Sequence, residues 1–427
     1  MSSVRYILSD IPGFHDIIND NTGVPNILKL NKVECRTASN AVYRVIRYDK
    51  EFLSNDLVKV YGLCRSIIVN INNKVVGFAP PKSIPSDLFI KSYAETTPGV
   101  VAEEFVEGTM INVFWDNSIG LTGGWEIATR NTVGATSRFY KGAGALTFRE
   151  MFLEAAAASR LVLDNLEKEL CYSFVLQHPQ NRIVVPFRDA QLYLVGVYAI
   201  HNDPDRTYVD VHDAQQYQDT FRALDTTVKF PAVYPLTTYA SLIETYGTMN
   251  TSYDIVGVVM HNKETGERAK VRNPVYEQVR NLRGNQPKLQ YQYLSLRKTG
   301  KVGDFLKFYP ENKHEFSTFR DQVHLFTNTL FSNYISCYIK KERPLKEFPD
   351  QYRTHMYSLH QIYLNDLREK RLFITNTVVI NYVNGLHPSL LMYCLNHHMR
   401  KRVRDTVVAD TNVVADTNVV ADTSADE

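Results

Sequence analysis

With 427 residues, 44% hydrophobic and 22% charged, and with 21 Phe and 26 Tyr, the chain has material for about two to three packed domains and is not disordered in bulk. No run reaches the roughly 18 apolar residues of a membrane-spanning helix, and the N-terminus MSSVRYILSDIPGFHD lacks a basic region followed by an apolar stretch, so neither insertion nor secretion is expected. The formal net charge of +2 hides an asymmetry: −5 over residues 1–260, +13 over 261–404 and −6 over 405–427.

Residues 1–55 carry no clear pattern and are expected to be an extension packing on the domain that follows. From about 56 to 275 short runs rich in Val, Ile, Phe and Tyr stand between turn residues: LCRSIIVN (63–70), KVVGFA (74–79), MINVFWD (110–116), SFVLQ (173–177), QLYLVGVYAI (191–200) and DIVGVVM (254–260). Among them 146–170 is predicted as one long helix, being Ala-rich with apolar residues at three- and four-residue steps. Shorter helical signals follow Asp210 and Pro235. The region reads as α+β with antiparallel sheets.

After Asn273-Pro274 the period becomes helical, with Asn273 as cap, Pro274 in the first turn and Gly284 as stop. Further helices are predicted around 286–299, 312–341, 350–371 and 388–402, giving a basic all-α domain over 276–404. The tail 405–427 repeats VVADTN and is expected to be disordered. The stretch 268–301 has nine Lys or Arg against one acid, Glu277, with Tyr276, Tyr291 and Tyr293 interleaved. A field of that sign points to a polyanion, most often nucleic acid.

Five cysteines, Cys35, Cys64, Cys171, Cys337 and Cys394, are scattered and nowhere spaced CxxC. They argue against a disulfide framework or a zinc site and for a reducing, cytoplasmic setting. No Ser-His-Asp, HExxH, P-loop or GxGxxG pattern is present, which disfavours hydrolase, kinase and dehydrogenase readings.

Four stretches in order carry more information. They are Leu63-Cys64-Arg65-Ser66-Ile67 followed by Pro80-Pro81-Lys82; Glu104-Phe105-Val106-Glu107-Gly108-Thr109; Pro179-Gln180-Asn181-Arg182-Ile183-Val184; and Val256-Gly257-Val258-Val259 followed by Lys270-Val271-Arg272-Asn273 with Tyr276. The series resembles the motif order of ATP-dependent RNA ligases, closest to the bacteriophage tRNA-repair type within the covalent nucleotidyltransferase superfamily. It covers roughly residues 55–280, and the helical C-terminal domain suits the same subgroup. The resemblance implies a nucleotidyltransferase-fold α+β domain, ATP and Mg²⁺ as cofactors of an active member, and RNA ends, such as those of tRNA, as partners. In that family a motif-one lysine attacks the ATP α-phosphate, the resulting lysyl-AMP passes AMP to an RNA 5′-phosphate, and a 3′-hydroxyl displaces it. One carboxylate holds the ribose and another the divalent metal.

The chain departs from that pattern at three positions. Counting back from Gly108 puts Phe105 at the nucleophile position, counting back from Pro179 puts Val175 at the ribose carboxylate, and Val256 stands where the metal carboxylate belongs. None offers a lone pair to phosphorus or magnesium. Glu107 stands for the motif-one aspartate, and the resemblance places Arg65, Lys82, Arg130, Lys270 and Arg272 against phosphate. Losing the lysine alone would leave two carboxylates facing each other without their cation, whereas a joint loss removes that cost.

The expected protein is therefore a ligase-fold RNA binder with adenylylation lost, holding RNA near Tyr276, Arg280, Arg283 and Lys288, with no confident catalytic residue and no metal ligand. Two alternatives stay open: an active RNA ligase using a relocated lysine such as Lys91 or Lys141, and a structural or interaction protein on the same fold. Divergent members of the family occur in large DNA viruses, which the low-complexity tail would suit.

Overall fold

The computed structural model describes residues 4–19, 27–34, 41–139 and 144–397, and of 31–34 the backbone alone. Cys35, Lys141 and the whole VVADTN tail lie outside the described residues. The chain divides after Arg280 into two compact units, and the division falls inside the helix Pro274–Arg283.

The first unit is a mixed structure of antiparallel sheets and helices. Its strands are β1 (Val4–Ile7), β2 (Leu28–Glu34), β3 (Val42–Tyr48), β4 (Ile67–Val69), β5 (Val75–Phe78), β6 (Val100–Glu104) and β7 (Thr109–Asp116). There follow β8 (Gly124–Thr129), β9 (Leu170–Gln177), β10 (Gln191–Asn202), β11 (Thr207–His212), β12 (Val233–Tyr234), β13 (Gly257–Asn262) and β14 (Arg268–Arg272). Three sheets result: β1-β11-β10-β9-β7-β8, β12-β6-β13-β14 and β2-β3-β4-β5, with neighbours antiparallel throughout.

The six-stranded sheet is a middle layer. β9 reads LCYSFVLQ and is buried from Leu170 to Leu176, because both of its faces are covered. On one face Phe152 and Ala155 of the helix Phe148–Ala158 pack with Phe174, Leu176 and Phe221. On the other, Tyr43, Ile46 and Phe78 from β3 and β5 pack with Phe114 and Tyr198. Each fully buried aromatic or branched chain in such a layer stabilises the fold by about 1.5–3 kcal/mol. The sheet β12-β6-β13-β14 has its own core, with Phe89, Tyr239 and Leu242 from two helices against Ala102, Val258 and Met260.

Two expectations change here. The first 55 residues are not an extension lying on the domain: β1 is an edge of the six-stranded sheet, and β3 pairs with β4 through Arg44↔Val69 and Ile46↔Ile67. The helix predicted over 146–170 stops at Ala158. Its start is fixed by a capping box between Thr147 and Glu150. Its end is fixed by Arg160, whose φ of 55° is left-handed, while the Leu161 amide returns to the Ala156 carbonyl at 2.8 Å. The remaining residues form a short 3₁₀ turn, Leu163–Asn165, and enter β9.

The second unit is helical over its described residues: Leu289–Lys298, Val302–Phe308, Lys313–Tyr334, Asp350–Ile362, Asn376–Gly385 and Pro388–Leu395. The two longest continue into π-helical turns, Ile335–Ile339 and Tyr363–Leu367. Gly284, at φ 62°, ends the helix before them as expected. The interior is aromatic, with Phe305 and Phe316 stacked at 5.0 Å and Phe326 and Tyr352 at 5.1 Å. No described helix is long and apolar enough to cross a membrane.

Candidate functional site

Four residues, Phe105 to Gly108, connect β6 of the sheet β12-β6-β13-β14 to β7 of the six-stranded sheet, so this loop brings the two sheets' ends together. Register fixes its neighbours. Glu104 pairs with Val258 and Gly257 pairs with Arg272, so the next step along β6 sets Phe105 beside Gly257, one residue from Val256. On the other side Met110 pairs with Val175. Two glycines make the approach possible. A Cβ at Gly108, φ 148°, would meet the Leu176 carbonyl at 2.4 Å and the Val175 side chain at 2.6 Å; one at Gly257, φ 138°, would meet the Val271 carbonyl at 2.1 Å. Topology thus gathers the positions of Phe105, Val175 and Val256 around one short loop.

The Phe105 ring is half-buried and has cations over it: Lys270 Nζ lies 4.7 Å from the ring centroid and the Arg272 guanidinium 5.7 Å. Both belong to β14, two residues apart and therefore on one face. Cations over an aromatic face are attracted by its quadrupole. Arg272 also donates to Glu277 at 2.8 Å, and Arg280 donates to the same carboxylate at 3.2 Å.

Val175 and Val256 are both buried, at 6% exposure, and carry no oxygen donor. A divalent cation wants oxygen ligands. Val256 therefore does not fit the magnesium site that the motif order implies, nor Val175 the ribose contact, and among the described residues no cluster of three His, Cys, Asp or Glu forms a metal site elsewhere.

Glu107, which stands for the motif-one aspartate, ties neighbouring segments together. It is buried, and its carboxylate accepts from the backbone amides of Val184 at 2.7 Å and Val185 at 3.1 Å, while its own carbonyl accepts from Gln177 Nε2 at 3.0 Å. Asn181 Nδ2 donates to Thr109 Oγ1 at 2.7 Å. The stretch PQNRIVV is thus tied to the loop from Phe105 to Gly108. Asn273 does the same for the stretch before β13: its side-chain amide reaches the carbonyls of Ser252 at 2.7 Å and Ile255 at 2.8 Å, and its backbone amide reaches that of Val256 at 2.9 Å.

A second group of the expected phosphate-facing cations gathers around a residue the sequence did not single out. Lys82 Nζ lies 5.7 Å and the Arg130 guanidinium 5.6 Å from the centroid of the Tyr48 ring, and Arg130 donates to the Tyr48 hydroxyl at 3.4 Å. Tyr48 ends β3, inside the region read as an extension, so its signal was hidden until the strand pairing was known. The bridge between Ile84 and Ala269 brings the Lys82 segment alongside β14, next to Lys270. Arg65 is half-buried just before β4.

The residues expected at an RNA surface divide. Tyr276 is buried at 4% exposure, so it does not present its ring to a partner; it and Val279 form the inward face of the helix Pro274–Arg283. Arg280 is held by Glu277, Arg283 is half-buried, and Lys288 is exposed. Lys91 is exposed at the end of the helix Ser86–Ser92. His178 caps a 3₁₀ turn by accepting from the Gln180 amide at 3.1 Å and meets Glu154 at 3.0 Å, as a turn histidine should.

Glu103, in β6 two residues before Phe105, is enclosed. Lys263 meets its carboxylate at 2.7 Å and reaches Asp213 at 3.1 Å, with His261 at 3.7 Å. Burial lowers the pKa of His261, so at neutral pH Lys263 is the cation that holds Glu103 ionised. Burial also pushes the Cys64 and Cys171 thiols up to about 12, so neither supplies a thiolate nucleophile.

No protein-family model matches the chain. It is 28% identical over 120 residues to an RNA ligase of Rhodothermus phage RM378, a match spanning 26% of this chain and 26% of that one, so it covers about a quarter of the relative's length. Among solved structures it is similar to a mutant Naegleria gruberi RNA ligase with ATP and Mn, at 10% identity and TM-score 0.32, over 60% of this chain and 99% of that one. An archaeal ATP-dependent RNA ligase is similar at 10% identity and TM-score 0.34, over 89% of this chain and 77% of that one.

Proposed function

We propose, taking as premise the RNA-ligase-family relationship that the phage similarity supports, that this chain binds RNA ends on a ligase-type scaffold without adenylylating itself. The observation that carries the reading is the Phe105 ring lying under Lys270 and Arg272. A covalent nucleotidyl transfer needs an amine that loses its proton and attacks phosphorus. An aromatic ring at that position cannot do so, while the two cations beside it suit a phosphate. Lys82 and Arg130 at Tyr48 extend the positive lining and suit either an RNA phosphate or a bound nucleotide. Tyr276 serves as a packing residue in this reading, with Arg280, Arg283 and Lys288 as the further basic residues that follow it along the chain. RNA ends of the kind met in tRNA repair are the proposed partner, and a virally encoded repair setting suits the phage similarity.

Incubation with α-labelled ATP and Mg²⁺ tests the loss of chemistry: no protein–AMP adduct is expected, and a covalent adduct would make the chain a working ligase. Binding to a 5′-phosphorylated single-stranded RNA should weaken about 100-fold between about 50 and 200 mM salt if some five phosphate contacts are made. A flat salt profile would remove the electrostatic basis of the reading.

A further inference from the structure

One of the two cations over Phe105, Arg272, is engaged by a carboxylate of the chain itself. Glu277 is the single acid among residues 268–301, which otherwise carry nine Lys or Arg. It sits on the first turn of the helix Pro274–Arg283, its amide bonded to the Asn273 carbonyl at 3.1 Å. From there its carboxylate accepts from Arg272 at 2.8 Å and from Arg280 at 3.2 and 3.3 Å. All three side chains are about three-quarters covered, with 25%, 26% and 20% exposure, so water screens the triplet less than it would an open surface pair. Arg272 is shared: one side meets Glu277 and the guanidinium also lies 5.7 Å from the Phe105 ring, next to Lys270.

An anion resting over Phe105 therefore meets Lys270, half of Arg272 and, just behind it, a negative charge. We infer that Glu277 is a built-in counter-anion that competes with a bound phosphate for Arg272 and so limits how tightly the site holds an RNA end. The inference rests on the reading of Lys270 and Arg272 as phosphate-facing and deepens it. With the acid neutralised, Arg272 turns its donors to the ligand. At the separations of such a cluster one charge is worth about a three- to tenfold change in affinity for a phosphate.

The experiment measures binding of a 5′-phosphorylated single-stranded RNA and, separately, of inorganic pyrophosphate to the full chain and to Glu277→Gln. The glutamine keeps the shape and one acceptor. The expected result is about three- to tenfold tighter binding of both probes. Glu264→Gln, which removes an exposed charge at the far turn of the β13–β14 hairpin, should change binding less than about twofold, and Glu277→Gln should give no gain in an Arg272→Gln background. Thermal melts of each variant report folding. Weaker binding by a folded Glu277→Gln would mean that the carboxylate organises Arg272 for its ligand, and would overturn the inference. If pyrophosphate tightens while RNA binds to no variant, the counter-anion stands and the RNA reading falls. If neither probe binds any variant, both fall.

Discussion

Glu103 and Phe105 stand two residues apart on one strand end, and they have opposite fates. Glu103 is enclosed with a cation at 2.7 Å, whereas Phe105 has two cations over a ring that bears no charge. Around Glu103 the charges are matched inside the fold. At Phe105 the ring itself is neutral, and the carboxylate bonded to Arg272 beside it is Glu277, set to one side. Here Glu103 and Glu107 use their carboxylates to hold segments together.

The sharpest way to break that contrast is to remove a structural acid. Glu107→Ala leaves the buried amides of Val184 and Val185 without their acceptor and should lower stability by about 3 kcal/mol, read from urea unfolding. A loss under about 1 kcal/mol would mean that the PQNRIVV stretch is held by something else. Lys263→Met leaves Glu103 and Asp213 without their shared cation and should cost about 2 kcal/mol at pH 7.

That second effect carries a pH signature. Burial opposes ionisation of Glu103, but its bonds and charges with His261 and Lys263 outweigh burial and hold the pKa at about 2, against 4.5 for an ordinary glutamate. A depressed carboxyl stabilises the fold above its unfolded value and loses that contribution as pH falls through the folded one. The wild type should therefore lose stability between pH 4.5 and about 2, and Lys263→Met should lose less over the same interval. Parallel pH profiles would remove Lys263 from the account.

The smallest effect sharpens the other side. Phe105→Leu keeps the floor apolar but deletes the ring, and should destabilise by about 1 kcal/mol while loosening Lys270 and Arg272. RNA binding should then change less than about threefold, because the charges remain. A collapse of binding would give the ring itself a stacking role.

Much of this was legible in the sequence because it is local. The runs at 110–116, 173–177 and 191–200 became β7, β9 and β10, since alternating branched and aromatic residues between turn formers leave few other options. The Asn273 cap and the Gly284 stop were equally local. What failed depended on partners far away. Residues 146–170 look helical throughout, yet Arg160 takes a left-handed turn and the chain leaves for β9, whose pairing with β7 and β10 outweighs propensity. Tyr48 is invisible until β3 finds β4, and Tyr276 looks like a contact residue until the buried face of its helix is known. The site followed the same rule. Motif order pointed to Phe105, Val175 and Val256 as candidates, but that Lys82 and Arg130 share one ring, and that Glu277 leans on Arg272, are facts of the third dimension.

Gly108 and Gly257 have a consequence for reading relatives of this chain. Each is excluded from having a side chain by a carbonyl 2.4 and 2.1 Å from where its Cβ would stand. A saturation library at the two positions should return glycine in every folded clone, with or without any sealing reaction. Their persistence in a lineage therefore certifies the path of the backbone and is mute about turnover.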